Sequence, residues 1–367
     1  MTAALLTVGE VRRFTRNTVR DVDVLHRPLL IKRMPNHQEA KTEHHGWRVL
    51  REHYPVPRLH TRLRLPGASF LVYERWGNPT GPKTFLDILN DGDHAAIDAY
   101  MLALTGTYRD VMLRTAHLAH PSTLVGKLYH DRAAPSGRLD TYYADRPFEI
   151  AGIDVQELAD YTLIINGRER RIDWDATLSW LSTWALDPAP QWSAITQGDP
   201  TDVNLAAPFA LFDYDTAGRN AVCGEFANFC WYTGFLGGYI VPKANPAAFT
   251  AAPNTFDLLP INAPAAHAVT DDTAARRLAI DLVWRPAPAR QAANRLYWHN
   301  LVAPIWKQLA GVEKIDDAIR PYLALRILGV FNLADLEPLD RLALFTCLAE
   351  CLADDFDAER LLTEGLT

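Results

Sequence analysis

The sequence predicts an α+β protein with a small β-rich N-terminal lobe and a larger, mainly helical C-terminal lobe. Two observations support this class. The first 76 residues read as short β-forming runs around one helix, in the order strand, strand, helix, strand and turn. From Phe85 to His120, and again from Ala274 to the end, the pattern is helical. We therefore expect an N-terminal lobe over residues 1–76 and a C-terminal lobe over residues 77–367.

The elements of the N-terminal lobe follow from local composition. β-forming runs cover residues 11–15, 22–26 and 28–34. The stretch 36–54 is rich in Glu, Lys and Arg, has few breakers and predicts one helix, which ends at the prolines of PVP at 55–57. Residues 68–77, ASFLVYERWG, predict a strand that ends in a turn.

The C-terminal part begins with the helical pattern from Phe85 to His120. Residues 121–146 are rich in Pro, Gly and charge and predict a mobile loop, and Asn166-Gly167 predicts a hairpin turn. A short helix capped by Asp175 should follow. Further expected elements are listed in chain order: strand, loop and strand over 195–215, a buried helix over 224–240, an irregular connector over 242–275, and helices from Ala274 onward.

Composition places the chain among ordinary globular proteins. It has 367 residues, of which 48% are hydrophobic and 22% charged, and its apolar runs are too short to cross a bilayer. The N-terminus lacks the basic segment of a secretory signal, and the four cysteines show neither a disulfide framework nor metal-ligand spacing. We expect a cytoplasmic protein with no membrane partner. Since no basic, aromatic-interleaved pattern occurs, we expect no nucleic-acid partner.

Oxygen-bearing side chains crowd the stretch ITQGDPTDVNLAAPFALFDYD at 195–215. Asp199, Asn204, Asp213 and Asp215 fall within seventeen residues. Carboxylate and amide oxygens are what Mg²⁺ prefers, and phosphoryl transfer also needs a cation for the phosphates and a residue that orients the attacking hydroxyl. Lys32, at the end of the apolar run LLIK in the other lobe, could supply that cation.

These parts, in this order, resemble the aminoglycoside phosphotransferase and choline-kinase-like family of small-molecule kinases, whose fold is protein-kinase-like. The motif is Gly-Asp, four residues, Asn, then a strand leading to Asp, and here it reads GDPTDVN followed by LFDYD. The resemblance covers about residues 10–240 and implies ATP and Mg²⁺ as cofactors and a small-molecule hydroxyl as acceptor.

The resemblance also implies roles for individual residues. Asp199 would be the catalytic aspartate, and Asn204 and Asp213 would be the magnesium ligands. Lys32 would bind phosphate, with Glu43 as its ion-pair partner. Hinge residues would grip the adenine through their backbone: Tyr73, Glu74 and Arg75. If the acceptor is a cation, as for aminoglycosides or choline, acidic side chains should line its pocket.

Several alternatives remain open. Gln197 stands where the family usually has His, and Glu225 where it usually has Asp; we expect a structural cost rather than a loss of chemistry from Gln197. Glu39, one helical turn before Glu43, is a rival partner for Lys32. Asp215 could bind a second metal or cap local structure.

Each motif residue also has an ordinary explanation as a turn, strand-end or surface side chain. The principal hypothesis is a kinase whose acceptor is an aminoglycoside, amino alcohol, nucleoside or sugar. The alternative is a nucleotide-binding pseudokinase or regulatory module, motivated by Gln197 and by the lack of a glycine-rich loop. Transfer to a protein, or of a nucleotidyl group, would use the same site. The oligomeric state is not predicted.

Overall fold

A five-stranded antiparallel sheet and one helix form the N-terminal part of the computed structural model, which describes residues 6–13, 17–77, 82–144, 146–187 and 189–367. The strand order is β1-β2-β3-β5-β4. The elements run β1 Leu6–Arg13, β2 Thr18–Val24, β3 Arg27–Met34, α1 His37–Leu50, β4 Leu59–Leu65 and β5 Ala68–Glu74.

Helix α1 begins where its sequence predicts and ends four residues before the predicted boundary at residue 54. Asn36 caps it by accepting hydrogen bonds from the backbone N–H groups of Gln38 and Glu39. The helix stops at Leu50, a few residues before the first proline of PVP. Its buried face includes Glu43, so the helix carries a carboxylate toward the interior.

Two details of this sheet differ from the prediction. Strand β4 lies in a segment where we predicted only the end of the helix. Its residues are mostly exposed, although leucines alternate with polar side chains along it. Strand β1 occupies Leu6–Arg13 rather than 11–15, and residues 14 and 15 of the predicted strand lie outside the described residues. It pairs with β2 across an irregularity between Val8 and Val11.

Helices dominate the remainder of the chain, and the predicted α+β class, with a β-rich N-terminal part and a mainly helical C-terminal part, is confirmed. The helices are α2 Phe85–Asp91, α3 His94–Thr115, α4 His130–Ala133, α5 Arg138–Tyr143, α6 Trp174–Leu186, α7 Val222–Trp231, α8 Val241–Ala244, α9 Asn254–Asp257, α10 Leu259–Asn262, α11 Pro288–Tyr297, α12 Ala303–Ala310, α13 Ile315–Leu328, α14 Pro338–Leu352 and α15 Ala358–Glu364. In the described part of the chain, no helix is both long and apolar enough for a membrane crossing.

Short strands in this part form four small sheets. They are β6 His117–Ala119, β7 Glu149–Ile150, β8 Ile153–Asp154, β9 Thr162–Ile165, β10 Arg168–Arg170, β11 Gln191–Thr196, β12 Leu205–Ala206, β13 Ala210–Leu211, β14 Gly218–Ala221, β15 Ala265–Asp272 and β16 Arg277–Val283. Sheet orders are β14-β11-β6, β10-β9-β16-β15, β12-β13 and β7-β8. The predicted hairpin at Asn166-Gly167 is confirmed as β9-β10.

The core of the larger part is built around α7. Every residue of this helix and of its π-helical continuation Tyr232–Ile240 is buried. Helix α13 packs along it, and its second half is buried from Pro321 to Leu328. An all-round apolar helix of this kind is stable only in the centre of a domain. The predicted buried helix over 224–240 is therefore confirmed.

Four other predictions for this part need correction. Residues 121–146, predicted as a loop, contain α4 and α5, whose apolar sides are buried. Helix α6 is capped by Asp173 rather than Asp175, since the Asp173 carboxylate accepts from the N–H of Ala176. The predicted irregular connector contains α8, α9, α10 and strand β15. Residues 277–283, predicted as helical, are strand β16: Leu278, Ile280 and Leu282 are buried in strict alternation.

Candidate active site

A cleft lies between the N-terminal sheet and the helical part. It encloses about 730 Å³ when the space open to solvent at its mouth is included. Apolar side chains from both sides line it, with polar groups at one end. The lining residues are Asn17, Val19, Leu30, Lys32, Glu43, Pro57, Tyr73, Thr84, Val203, Asn204, Phe212, Asp213 and Tyr214.

Lys32 lies at the polar end of this cleft, between two carboxylates. Its Nζ is 2.9 Å from Oε1 of Glu43 and 2.5 Å from Oδ1 of Asp213. Burial alone would lower the pKa of Lys32, but Asp213 and Glu43 raise it above its ordinary value. The lysine therefore stays charged in a site from which water is largely excluded. Its partner is Glu43, not the rival Glu39.

Glu43 joins α1 to both sides of the cleft. Its Oε2 accepts from the backbone N–H of Tyr214 at 3.1 Å, and its Oε1 accepts from the hydroxyl of Tyr73 at 3.3 Å. Burial raises the pKa of Glu43 to about 7, against the opposing effect of Lys32. The position of α1 is thus coupled to Asp213, the residue before Tyr214.

The loop between β11 and β12 is organised by Gln197, which is fully buried. Its side-chain Nε2 donates to the carbonyl oxygens of Phe212 at 3.0 Å and Asp213 at 2.7 Å. Its Oε1 accepts from the N–H of Asp199 at 2.5 Å. One amide therefore holds the Asp199 loop against the segment that carries Asp213.

Asp199 and Asn204 lie close together in this loop. The side-chain Nδ2 of Asn204 donates to the carbonyl of Asp199 at 2.9 Å. This hydrogen bond uses the amide nitrogen, so the Oδ1 of Asn204 is available to bind a ligand. The Asp199 carboxylate accepts from Nδ2 of Asn228 at 2.7 Å, and Nη2 of Arg326 lies 3.7 Å from the same oxygen.

Asn228 and Arg326 were not predicted as site residues. Asn228 lies on α7, within the helix assigned to the position after the metal motif, and a polar residue in that apolar run was its only signal. Arg326 lies on α13, far along the chain, and no motif marks it.

Glu225 holds the start of the loop between β11 and β12 through hydrogen bonds. Its Oε2 accepts from the hydroxyl of Thr196 at 2.8 Å and from the N–H of Gly198 at 2.9 Å, and its Oε1 accepts from the hydroxyl of Tyr108 at 3.0 Å. Burial raises the pKa of Glu225 to about 7. Glutamate thus reaches the loop backbone from α7.

Asp213 and Asp215 have different surroundings. Burial would raise the pKa of Asp213, but Lys32 holds it below its ordinary value, so this carboxylate is ionised. Asp215 pairs with Lys127, while burial and Asp213 raise its pKa. The structure therefore gives Asp215 a lysine partner, and a metal role for it remains a hypothesis.

The donor set fits a hard divalent cation. Asn204 and Asp213 both line the cleft with side-chain oxygens, the ligands that Mg²⁺ prefers. Across the described ranges, no group of three His, Cys, Asp or Glu side chains could hold a metal ion. In nucleotide sites Mg²⁺ usually takes one or two protein ligands, and phosphate oxygens and water complete its coordination.

The predicted hinge residues differ in what they offer. The side chain of Tyr73 lines the cleft. The backbone N–H of Glu74 donates to the carbonyl of Arg58 at 2.8 Å, and that of Arg75 donates to the carbonyl of Pro28 at 3.1 Å. These two N–H groups are therefore engaged within the protein, and adenine binding through the hinge would use other backbone groups.

Comparison with known proteins returns matches only among solved structures, since no protein-family model and no curated protein matches the chain. An apo thermostable mutant of aminoglycoside phosphotransferase APH(4)-Ia has 11% identity and a TM-score of 0.46, over 97% of this chain and 92% of its own. A putative aminoglycoside phosphotransferase from Ralstonia eutropha has 12% identity and a TM-score of 0.43, over 95% and 92%. An ethanolamine kinase from Plasmodium vivax has 10% identity and a TM-score of 0.38, over 98% and 81%.

These solved structures come from the family that the sequence motif resembles.

Proposed function

We propose that the protein is an ATP- and Mg²⁺-dependent phosphotransferase that acts on a hydroxyl group of a small molecule. The observation that carries the proposal is the arrangement of Lys32, Glu43 and Asp213 in a largely apolar cleft, with Asp199 on the adjoining loop. A charged lysine beside oxygen ligands suits a polyphosphate, and the apolar walls suit a nucleobase.

Each of these residues would have its own role in phosphoryl transfer. Lys32, oriented by Glu43, would bind the α- and β-phosphates of ATP. Asn204 and Asp213 would hold Mg²⁺, whose charge would neutralise the phosphates. Asp199, held by Asn228, would orient the acceptor hydroxyl and accept its proton. Positioning and charge neutralisation carry most of the acceleration in phosphoryl transfer.

Nucleotide binding is the first test. ATP should raise the melting temperature of the full chain in the presence of Mg²⁺ and less in its absence. Asp213→Ala should remove the magnesium dependence. Failure of every nucleotide to shift the melting temperature would refute both the kinase and the pseudokinase hypotheses.

Turnover is the second test, measured as ADP release with a panel of hydroxylated acceptors. Asp199→Asn should lower turnover by about 100-fold or more while nucleotide binding persists, because positioned general bases contribute factors of this size. Asp110→Asn, on the exposed face of α3, is the matched control and should retain activity. Full turnover by Asp199→Asn would mean that another group is the base.

A pseudokinase remains the alternative. This alternative was suggested by Gln197 and by the lack of a glycine-rich loop. The Gln197 side chain, however, holds the Asp199 loop in place with three hydrogen bonds. Nucleotide binding without ADP release from any acceptor in a broad panel would favour the pseudokinase.

A further inference from the structure

Three arginines lie together around the end of α13, near Asp199. Arg326 of α13 is 3% exposed, with its Nη2 3.7 Å from Oδ1 of Asp199. Arg132 in α4 and Arg138 at the start of α5 each donate from Nη1 to the carbonyl of Gly329, both at 2.9 Å. Three guanidinium groups are thus gathered at one place, and that of Arg326 lies beside the Asp199 carboxylate.

The charges of this cluster are not balanced by the protein. Among the described residues, Arg326 donates no hydrogen bond, and its Nε is buried without a partner. Neither Arg132 nor Arg138 has a carboxylate within ion-pair distance in the described ranges, so Asp199 is the one acidic partner there. Burial, together with Arg326 and Arg138, lowers the pKa of Arg132 to about 9.

An uncompensated buried cation is costly, and proteins that retain one usually pair it with an anion. The remaining capacity of these guanidinium groups suits a carboxylate or a phosphate, which they can bind through paired N–H donors. An ammonium group in the same place would meet three positive charges. Near Asp199, these arginines therefore form a basic lining in place of the acidic one that a cationic acceptor would need.

The cluster also lies where an acceptor must bind. A hydroxyl that donates to Asp199 lies within hydrogen-bond distance of it, and Arg326 is in contact with the same carboxylate. A hydroxyl and an oxyanion bound to these two groups would be separated by about one to three carbon atoms, given hydrogen bonds of ordinary length.

On the premise that Asp199 is the catalytic aspartate of a small-molecule kinase, we propose that Arg132, Arg138 and Arg326 bind an oxyanion of the acceptor. The substrate is then a hydroxylated carboxylate or phosphate ester, not an aminoglycoside or amino alcohol.

Direct binding tests the cluster without relying on turnover. Malonate and inorganic phosphate, the carboxylate and phosphate probes, are titrated calorimetrically into the full chain. Arg138→Gln should weaken the preferred probe by about 10-fold or more, as expected for a lost charge-assisted hydrogen bond. Arg146→Gln removes the same charge from a nearby exposed arginine and should leave the affinity unchanged.

The two variants of the cluster separate folding from binding. Arg326→Gln should weaken the probe as Arg138→Gln does, and Arg326→Lys should restore part of the affinity. Because Arg326 is buried and its variants could unfold, the half-buried Arg138 decides the matter alone. Absence of probe binding to the natural protein, or equal binding by Arg138→Gln, overturns the proposal even if ATP binds as expected.

Turnover then identifies the acceptor class. Each hydroxy acid or sugar phosphate is compared with its neutral amide or sugar analogue and with cationic amino alcohols. The anionic member should be preferred, and Arg138→Gln should raise its KM about 10-fold with little change in kcat. Preference for the cationic members overturns the proposal. An increase in the KM for ATP alone would assign the cluster to the nucleotide and would overturn it too.

Discussion

Replacing Gln197 by Glu changes one NH₂ group into an oxygen without altering the shape of the side chain. That NH₂ donates to the carbonyls of Phe212 and Asp213 at 3.0 and 2.7 Å, and the side chain is fully buried. The variant would leave two buried carbonyls without donors and would direct an anionic oxygen at them. At about 1–3 kcal/mol for each unsatisfied buried group, we expect a loss of at least about 4 kcal/mol at pH 8 once charge burial is added.

Urea denaturation of the natural protein and of Gln197→Glu at pH 5 and pH 8 measures this loss. Burial should raise the pKa of the new carboxyl above its unfolded value. The unfolded state then loses its proton first, so the deficit should grow as pH rises from 5 to 8. Gln38→Glu makes the same chemical change on the exposed side of α1 and should alter stability by no more than about 0.5 kcal/mol. A Gln197→Glu protein as stable as the Gln38→Glu control would refute the assigned hydrogen bonds.

Three further predictions concern the cleft and its supports. Glu43→Gln should raise the KM for ATP by about tenfold, because the cleft lysine loses a charged partner. Glu39→Gln should have the same KM for ATP as the natural protein. The reverse result would mean that Glu39, not Glu43, is the functional partner of Lys32. Burial raises the pKa of Glu225 to about 7, so this carboxyl destabilises the fold increasingly as pH rises from about 4.5 to 7. Glu225→Gln should therefore gain about 2–3 kcal/mol on the natural protein between pH 5 and pH 8 in denaturant titrations, and parallel profiles would contradict this. A Cβ on Gly46 would come within 1.9 Å of a backbone oxygen, so Gly46→Ala should lower the free energy of unfolding by at least about 2 kcal/mol. Gly106→Ala, in the open middle of α3, should be neutral or stabilising by up to about 1 kcal/mol. Similar effects of both substitutions would be evidence against the packing of α1.

The parts of the site that were predictable are local in sequence. Asp199, Asn204 and Asp213 lie within one loop and one short hairpin, so their spacing alone confines them to a small region. Lys32 and Glu43 lie on a strand and on the helix that follows it. The contact between Lys32 and Asp213, 181 positions later, could be predicted only from the family resemblance. Hydrophobic periodicity carries no information about contacts between lobes.

The arginine cluster shows why the remainder was not predictable. Arg132 and Arg138 come from a segment whose Pro, Gly and charge content is typical of a surface loop, and Arg326 interrupts an apolar helix. Local composition cannot tell a solvated charge from one buried against another element. Strand β16 was missed although its alternation is clear. It pairs with the neighbouring β15, and also in parallel with β9, more than a hundred residues earlier.

The departure of Gln197 from the family pattern also bears on activity. A neutral imidazole at this position would offer one donor and one acceptor, whereas the amide offers two donors and an acceptor and uses all three. The amide, unlike imidazole, does not titrate near neutral pH, so its hold on the Asp199 loop does not vary with protonation. We infer that Gln197 is an alternative solution to the same positioning problem.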